Sequence, residues 1–145
     1  MAINTYQTYL MHKASASGDY TKLVDIKEFP DMGGAPEMLE TTTLSDPIQT
    51  FIAGIQMLDA SGLRFTCNYD KTDYTTLKAL ESDTEHDFAV WFGATTSNSI
   101  DTPDGSEGKW EFKGQLSVYV NGGGVNEVVN MTVSIAPSTK ITPVT

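Results

Sequence analysis

Apolar and polar residues alternate with period two over much of the chain, the pattern of strands buried on one face only. The pattern is clearest in the second half. Trp110, Phe112, Leu116, Val118 and Val120 point one way with Gly114 in register, while Glu111, Lys113, Gln115, Ser117 and Tyr119 point the other. After the turn sequence Asn121-Gly122-Gly123-Gly124, Val129, Met131, Val133 and Ile135 alternate with Asn130, Thr132 and Ser134, which predicts the antiparallel partner of a hairpin. Upstream, Leu63, Phe65, Cys67 and Tyr69 alternate with Arg64, Thr66 and Asn68, and Phe88, Val90 and Phe92 alternate with Ala89 and Trp91. Earlier strands are predicted at Thr8 to Lys13 and Lys22 to Glu28, and Pro103-Asp104-Gly105 predicts a turn in a loop before Trp110.

Between two of these strands the period changes. Tyr74, Leu77 and Leu80 recur at helical spacing behind Asp70, a capping residue, so a short helix is predicted over about Lys71 to Ser82. The sum is a mainly β fold: a β-sandwich or rolled β-barrel of antiparallel strands with one short flanking α-helix.

The middle of the chain breaks the pattern. Met32 to Pro36 reads as a Gly/Pro-rich turn and Glu37 to Leu44 as a Thr-rich strand. Ser45 to Gly62 then carries Pro47, Phe51, Ile52, Ile55, Met57 and Leu58 without a period. A loop of that length and apolarity inside a small domain usually has a function. Either it is an extended inter-subunit loop or hairpin over residues 44–62, with an exposed apolar patch that seeks a protein partner, or it folds back as a hairpin into its own core.

Length and charge narrow the classes. The 145 residues fit one domain, taken as residues 1–145, and 39% apolar residues suffice for a core. Nine basic against 19 acidic residues leave a net charge of -10, the opposite of a surface that grips nucleic acid by displacing counterions from phosphate. An acidic wall would instead let DNA slide past. Cys67 has no second cysteine to pair with and reads as a small buried hydrophobe. Neither a signal-peptide pattern at Met1 to Leu10 nor an apolar run of membrane-crossing length occurs, so a soluble protein made in a cytoplasm is expected.

Catalytic chemistry is sparse. There is no phosphate-binding loop, dinucleotide fingerprint or nucleophile elbow, and Gly122 to Gly124 leads into a strand rather than a helix. His12 and His86 are the two histidines, and with one cysteine they make neither a zinc spacing nor a serine-type triad. The acids Glu81, Asp83, Glu85 and Asp87 beside His86, and Asp101, Asp104 and Glu107 around Gly105, lack the alternation of a calcium loop and read as solvated turns. The expectation is a chain that is not an enzyme and takes no cofactor or metal.

The order of elements resembles the tail tube (major tail) protein of long-tailed bacteriophages. The resemblance rests on Tyr9-Leu10-Met11, on Tyr20-Thr21-Lys22-Leu23-Val24-Asp25-Ile26-Lys27-Glu28-Phe29-Pro30, on Pro36 to Asp46, and on the closing Gly108-Lys109-Trp110-Glu111-Phe112-Lys113-Gly114-Gln115-Leu116. It is a likeness of pattern and order over nearly the whole chain, and type VI secretion tube proteins are similar in fold. What it implies is a virion protein, synthesised in a bacterial host cytoplasm, that assembles into stacked hexameric rings. The rings form a hollow conduit that carries DNA in transit without holding it tightly and crosses no membrane by itself. The implied partners are further copies of the chain, a tape measure protein, a tail terminator and distal tail or baseplate proteins. On this reading Leu44, Pro47, Phe51, Ile52 and Ile55 make inter-ring or subunit contacts, and Glu37, Glu40, Thr42, Arg64, Thr66 and Asn68 are candidates for the lumen wall. The alternative is a monomeric β-sandwich binding module, for carbohydrate or adhesion, with Trp91, Trp110 or Tyr119 as a ligand platform.

Overall fold

The computed structural model describes residues 3–13, 18–56, 62–81 and 84–144. Among these residues nine strands and one helix follow in the order β1 (Thr8–Lys13), β2 (Tyr20–Val24), β3 (Pro36–Glu40), β4 (Phe51–Gln56), β5 (Leu63–Asn68), α1 (Lys71–Leu80), β6 (His86–Ser97), β7 (Ile100–Val120), β8 (Asn130–Pro137) and β9 (Thr142–Val144). Seven strands form one sheet in the order β2-β1-β6-β7-β8-β5, with β9 added to β7, and every pairing is antiparallel. The sheet is curled into a half-barrel, the mainly β class with one short helix that the periodicity predicts.

Curling is driven by the apolar face. Leu10, Phe65, Phe88, Val90, Leu116, Met131, Val133 and Ile135 all lie in the concave interior, fully removed from solvent. Each such side chain contributes roughly 1.5–3 kcal/mol on burial. Leu77 of α1 joins the same cluster, so the helix closes one side of the bowl. Its N-terminus is fixed by Asp70, whose carboxylate accepts from the amides of Thr72 (2.9 Å) and Asp73 (3.2 Å). The predicted helix end at Ser82 lies outside the described residues.

Two edges of the sheet meet. The predicted strand Lys22 to Glu28 is two pieces: β2 pairs with β1 up to Val24, and the chain then changes partner. The amide of Lys27 donates to the carbonyl of Thr66 at 2.7 Å, and the amide of Thr66 to that of Glu28 at 3.2 Å. These bonds tie the continuation of one edge strand to the opposite edge strand, β5. Edge backbone that would otherwise be open to another chain is thereby satisfied at that point.

The β6–β7 hairpin outruns its prediction. Pairing continues past Phe92 to Ser97 and Ile100, turning at Asn98 and Ser99, both with positive φ (52° and 63°), as a two-residue hairpin turn requires. The turn expected at Asp104-Gly105 exists, but inside β7 rather than in a loop before Trp110. Register passes from Phe92↔Gly108 to Ala94↔Pro103, so the residues around Gly105 (φ +64°) bulge out of a continuous ladder. Asp104 holds the bulge by accepting from the Ser106 amide at 2.9 Å.

Gly114 has a different task. A Cβ there would collide with the Ala136 carbonyl oxygen and sit 2.8 Å from the Ile135 side chain, so only glycine lets β7 and β8 approach this closely.

Candidate functional site: an exposed apolar arm

Part of the segment expected to be aperiodic forms a strand, β4, that pairs with β3, and the strand expected over Glu37 to Leu44 is Pro36–Glu40, the threonines after it belonging to the turn. The β3 and β4 strands pair with each other in a separate two-stranded sheet, through Met38↔Ala53, Leu39↔Ile52 and Glu40↔Phe51. The threonines shape the turn end. The Thr41 amide donates to the Thr50 carbonyl (2.8 Å), the Thr50 amide to Thr42 Oγ1 (2.8 Å), and the Thr43 amide to the Asp46 carboxylate (2.7 Å). Gln49 Nε2 donates to Glu40 at 3.1 Å.

This arm is apolar where a surface hairpin should be polar. Phe51, Ile52 and Ile55 are 50%, 57% and 77% exposed, Leu44 is wholly exposed, and Met38, Leu39 and Ile48 are also in solvent. Residues opposite one another in an antiparallel pair share a face. Leu39 and Ile52 therefore lie on one face, whereas Met38, Glu40, Phe51 and Ala53 lie on the other, and Ile55 follows at the irregularity where the register shifts. Among the described residues neither face has a core to cover it. Of the two readings of this segment, the hairpin is present but does not fold into the core of its own chain. Met57 and Leu58 lie outside the described residues.

The predicted contact residues are thus brought together: Leu44 and Pro47 at the turn, Phe51, Ile52 and Ile55 on β4, all exposed. The lumen candidates divide into two groups. Glu37 and Glu40 belong to β3, with Thr42 just beyond it, all on the arm. Arg64, Thr66 and Asn68 occupy the outer face of β5, opposite Ser134, Thr132 and Asn130 of β8. With Gln115, Ser117 and Tyr119 of β7 they continue one face across three strands that is rich in hydroxyls and amides and carries Arg64, with Lys113 and Glu111 further along the same face of β7.

The alternation places Val120 and Val129 on the apolar faces of their strands and passes over Val125 and Val128, yet all four belong to a second exposed apolar group. At the β7–β8 turn, Val120, Val125, Val128 and Val129 are exposed, with Tyr69 alongside through the bond from its amide to the Val129 carbonyl (2.9 Å). The signal was present in the valines flanking Asn126 and Glu127, in a turn whose glycines alone drew notice.

The acids are occupied by the fold. Asp101 accepts from Thr96 (2.6 Å) and Tyr6 (2.8 Å), Asp104 from Thr95 (2.6 Å), and these bonds hold both carboxyls below the usual carboxylate range. The hydroxyl of Ser138 donates to Glu85, and Glu81 accepts from the Val118 amide (3.2 Å). Asp83 lies outside the described residues. Among the described residues no cluster of His, Cys, Asp and Glu is arranged to hold a metal ion, and no helix is long and apolar enough to cross a membrane.

His12 and His86 do come together, with ring centroids 5.5 Å apart, and His12 Nε2 is buried with no hydrogen-bond partner. Trp91, Trp110 and Tyr119 do not form one platform. Trp91 and Trp110 are on opposite faces of the sheet, the former beneath Lys109 Nζ (4.3 Å from the ring centroid) and beside Tyr20, the latter against the core. No protein-family model and no curated protein matches the chain.

Proposed function

We propose that the chain is a structural protein that assembles with further copies of itself, and that the rings and tube implied by its resemblance to phage tail tube proteins are the form this assembly takes. One observation carries the reading: the β3–β4 arm is apolar on both faces and has no core on either. A lone two-stranded hairpin is marginal in water, so a ribbon of this composition is stabilised by surfaces supplied from outside the chain. Six copies in a ring, with rings stacked, would repeat the same contact at every position. Within this reading the hydroxyl- and amide-rich face formed by β5, β8 and the Gln115-to-Tyr119 part of β7 is the proposed lumen wall. Hydroxyls, amides and one arginine per copy release few counterions from a passing polyphosphate and hold it weakly. The binding-module alternative receives no support from the placement of its aromatics.

Sedimentation and negative-stain microscopy of the purified chain test the proposal. Rings or tubes are expected, and Phe51→Ser with Ile52→Ser should abolish them while leaving the circular dichroism of the monomer unchanged. A wild-type chain that stays monomeric at high concentration, even with an initiator of tube growth added, overturns the assignment.

A further inference from the structure

Asparagine is followed directly by glycine at one place in the chain, Asn121-Gly122, where β7 ends and the turn to β8 begins. Three groups meet there. The Asn121 amide donates to the Asn130 carbonyl at 2.9 Å, which holds the residue at the end of the ladder. Its side-chain carbonyl oxygen, Oδ1, accepts from the hydroxyl of Thr132 at 2.7 Å, and Thr132 is buried. The next amide is loose. Gly122 is exposed, a Cβ placed on it would meet nothing within 4 Å, and its N–H makes no hydrogen bond among the described residues. Asn98 and Asn126 also occupy turns, both with positive φ (52° and 62°), but Ser99 and Glu127 follow them.

We propose that Asn121 is a site of spontaneous modification, at which the folded chain converts its own asparagine to aspartate and isoaspartate with the Thr132 hydroxyl assisting. The inference does not depend on self-assembly. The Gly122 amide nitrogen gives up its proton to solvent and attacks Asn121 Cγ, forming a C–N bond and leaving negative charge on Oδ1. Collapse of that intermediate breaks the Cγ–Nδ2 bond, and Nδ2 takes a proton from solvent and departs as ammonia. Water then opens the succinimide ring at either carbonyl, giving aspartate or isoaspartate. Two features of the fold favour the attack. Without a Cβ, Gly122 lets its nitrogen approach the carboxamide at backbone angles closed to other residues. The Thr132 hydroxyl already donates to the oxygen on which charge develops, and a donor in place there stabilises the intermediate without reorganisation. The reaction consumes only water and runs one way, so converted copies accumulate with the age of the folded chain. Each carries a further negative charge beside the exposed Val120, and the isoaspartate form adds a methylene to the backbone where β7 leaves β8.

Ageing the folded chain in mildly alkaline buffer tests this. Peptide mapping by mass spectrometry should show the mass gain of an amide-to-acid exchange in the tryptic peptide Gly114–Lys140, fragmentation should place it at Asn121, and both aspartate and isoaspartate should be found there. Asn98 and Asn126 should stay amides over the same time. Gly122→Ala should slow the conversion, and Thr132→Val should slow it severalfold while Thr132→Ser restores it, with circular dichroism checking that each variant is folded. The wild-type chain unfolded in urea gives the reference rate for the dipeptide without the Thr132 bond, and the folded chain should exceed it. A folded wild type that keeps Asn121 intact while the unfolded chain converts, or that converts Asn98 and Asn126 equally fast, overturns the site. A folded Thr132→Val that ages as fast as the wild type overturns the part assigned to the hydroxyl.

Discussion

The imidazole of His12 is 8% exposed, packed against Phe88 and His86, with a ring nitrogen that finds no acceptor or donor. Burial first, and His86 second, hold its pKa below the usual imidazole value, while Asp87 opposes them. The unfolded chain therefore takes up a proton at His12 before the folded chain does. Stability contributed by the neutral ring is fully present above about pH 6.5 and is lost as pH falls through the lowered folded value. Thermal melts from pH 8 down to about pH 5 should show a falling midpoint in the wild type and a flatter profile in His12→Phe. Equal slopes in the two proteins would mean that another group sets the acid limit. Cys67 gives a second residue-level expectation. Burial pushes its thiol up to about 12, so the native chain should leave a thiol reagent unconsumed at neutral pH and react with one equivalent after denaturation.

At the scale of elements, α1 depends on its cap. Removing the carboxylate in Asp70→Ala leaves two amides of the first turn without their acceptor and should cost about 1 kcal/mol, read from chemical denaturation. Gly114→Val should cost more, about 1–3 kcal/mol or a failure to fold, because the added carbons meet the β8 backbone rather than a flexible side chain. Elements were legible in the sequence where one face meets the core and the other meets water. Leu63 to Asn68 and the inner part of β7 satisfy that condition, and α1 does so with the helical period, whereas Leu10 to His12, Phe88 to Val90 and Met131 to Val133 are buried on both faces and show through their apolar content instead. β4 does not meet that condition. Phe51, Ile52, Ala53 and Ile55 put apolar groups on both faces, so the period of two that marks a strand is absent. The outer halves of β6 and β7 fail for the opposite reason. From Ala94 to Asp101 both faces are largely solvated, and Thr, Ser and Asn follow one another without contrast. The exchange of partner after Val24 is a backbone event that leaves no trace in side-chain alternation.

For the whole molecule, the candidate residues were legible as types but not as neighbours. Leu44 to Ile55 share one arm, as their apolarity suggested, whereas Glu37 and Glu40 belong to that arm and Arg64, Thr66 and Asn68 to the curled sheet. Register within a sheet is local in sequence, and the meeting of distant strands is not. If the face carrying Thr66 and Asn68 lines a conduit, Thr66→Lys with Asn68→Lys should permit assembly yet slow the passage of DNA, with the defect relieved as salt is raised. Unaltered genome delivery by assembled variant particles would remove that face from the wall. The arm described above also sets a rate law. A ribbon apolar on two sides leaves one side wet when a single neighbour covers it, so the first encounter of two free chains recovers only part of the available burial, whereas a chain joining an existing cluster can have both sides covered at once. Growth then outpaces initiation: turbidity of a concentrated solution should show a lag, and a trace of preformed particles should erase it.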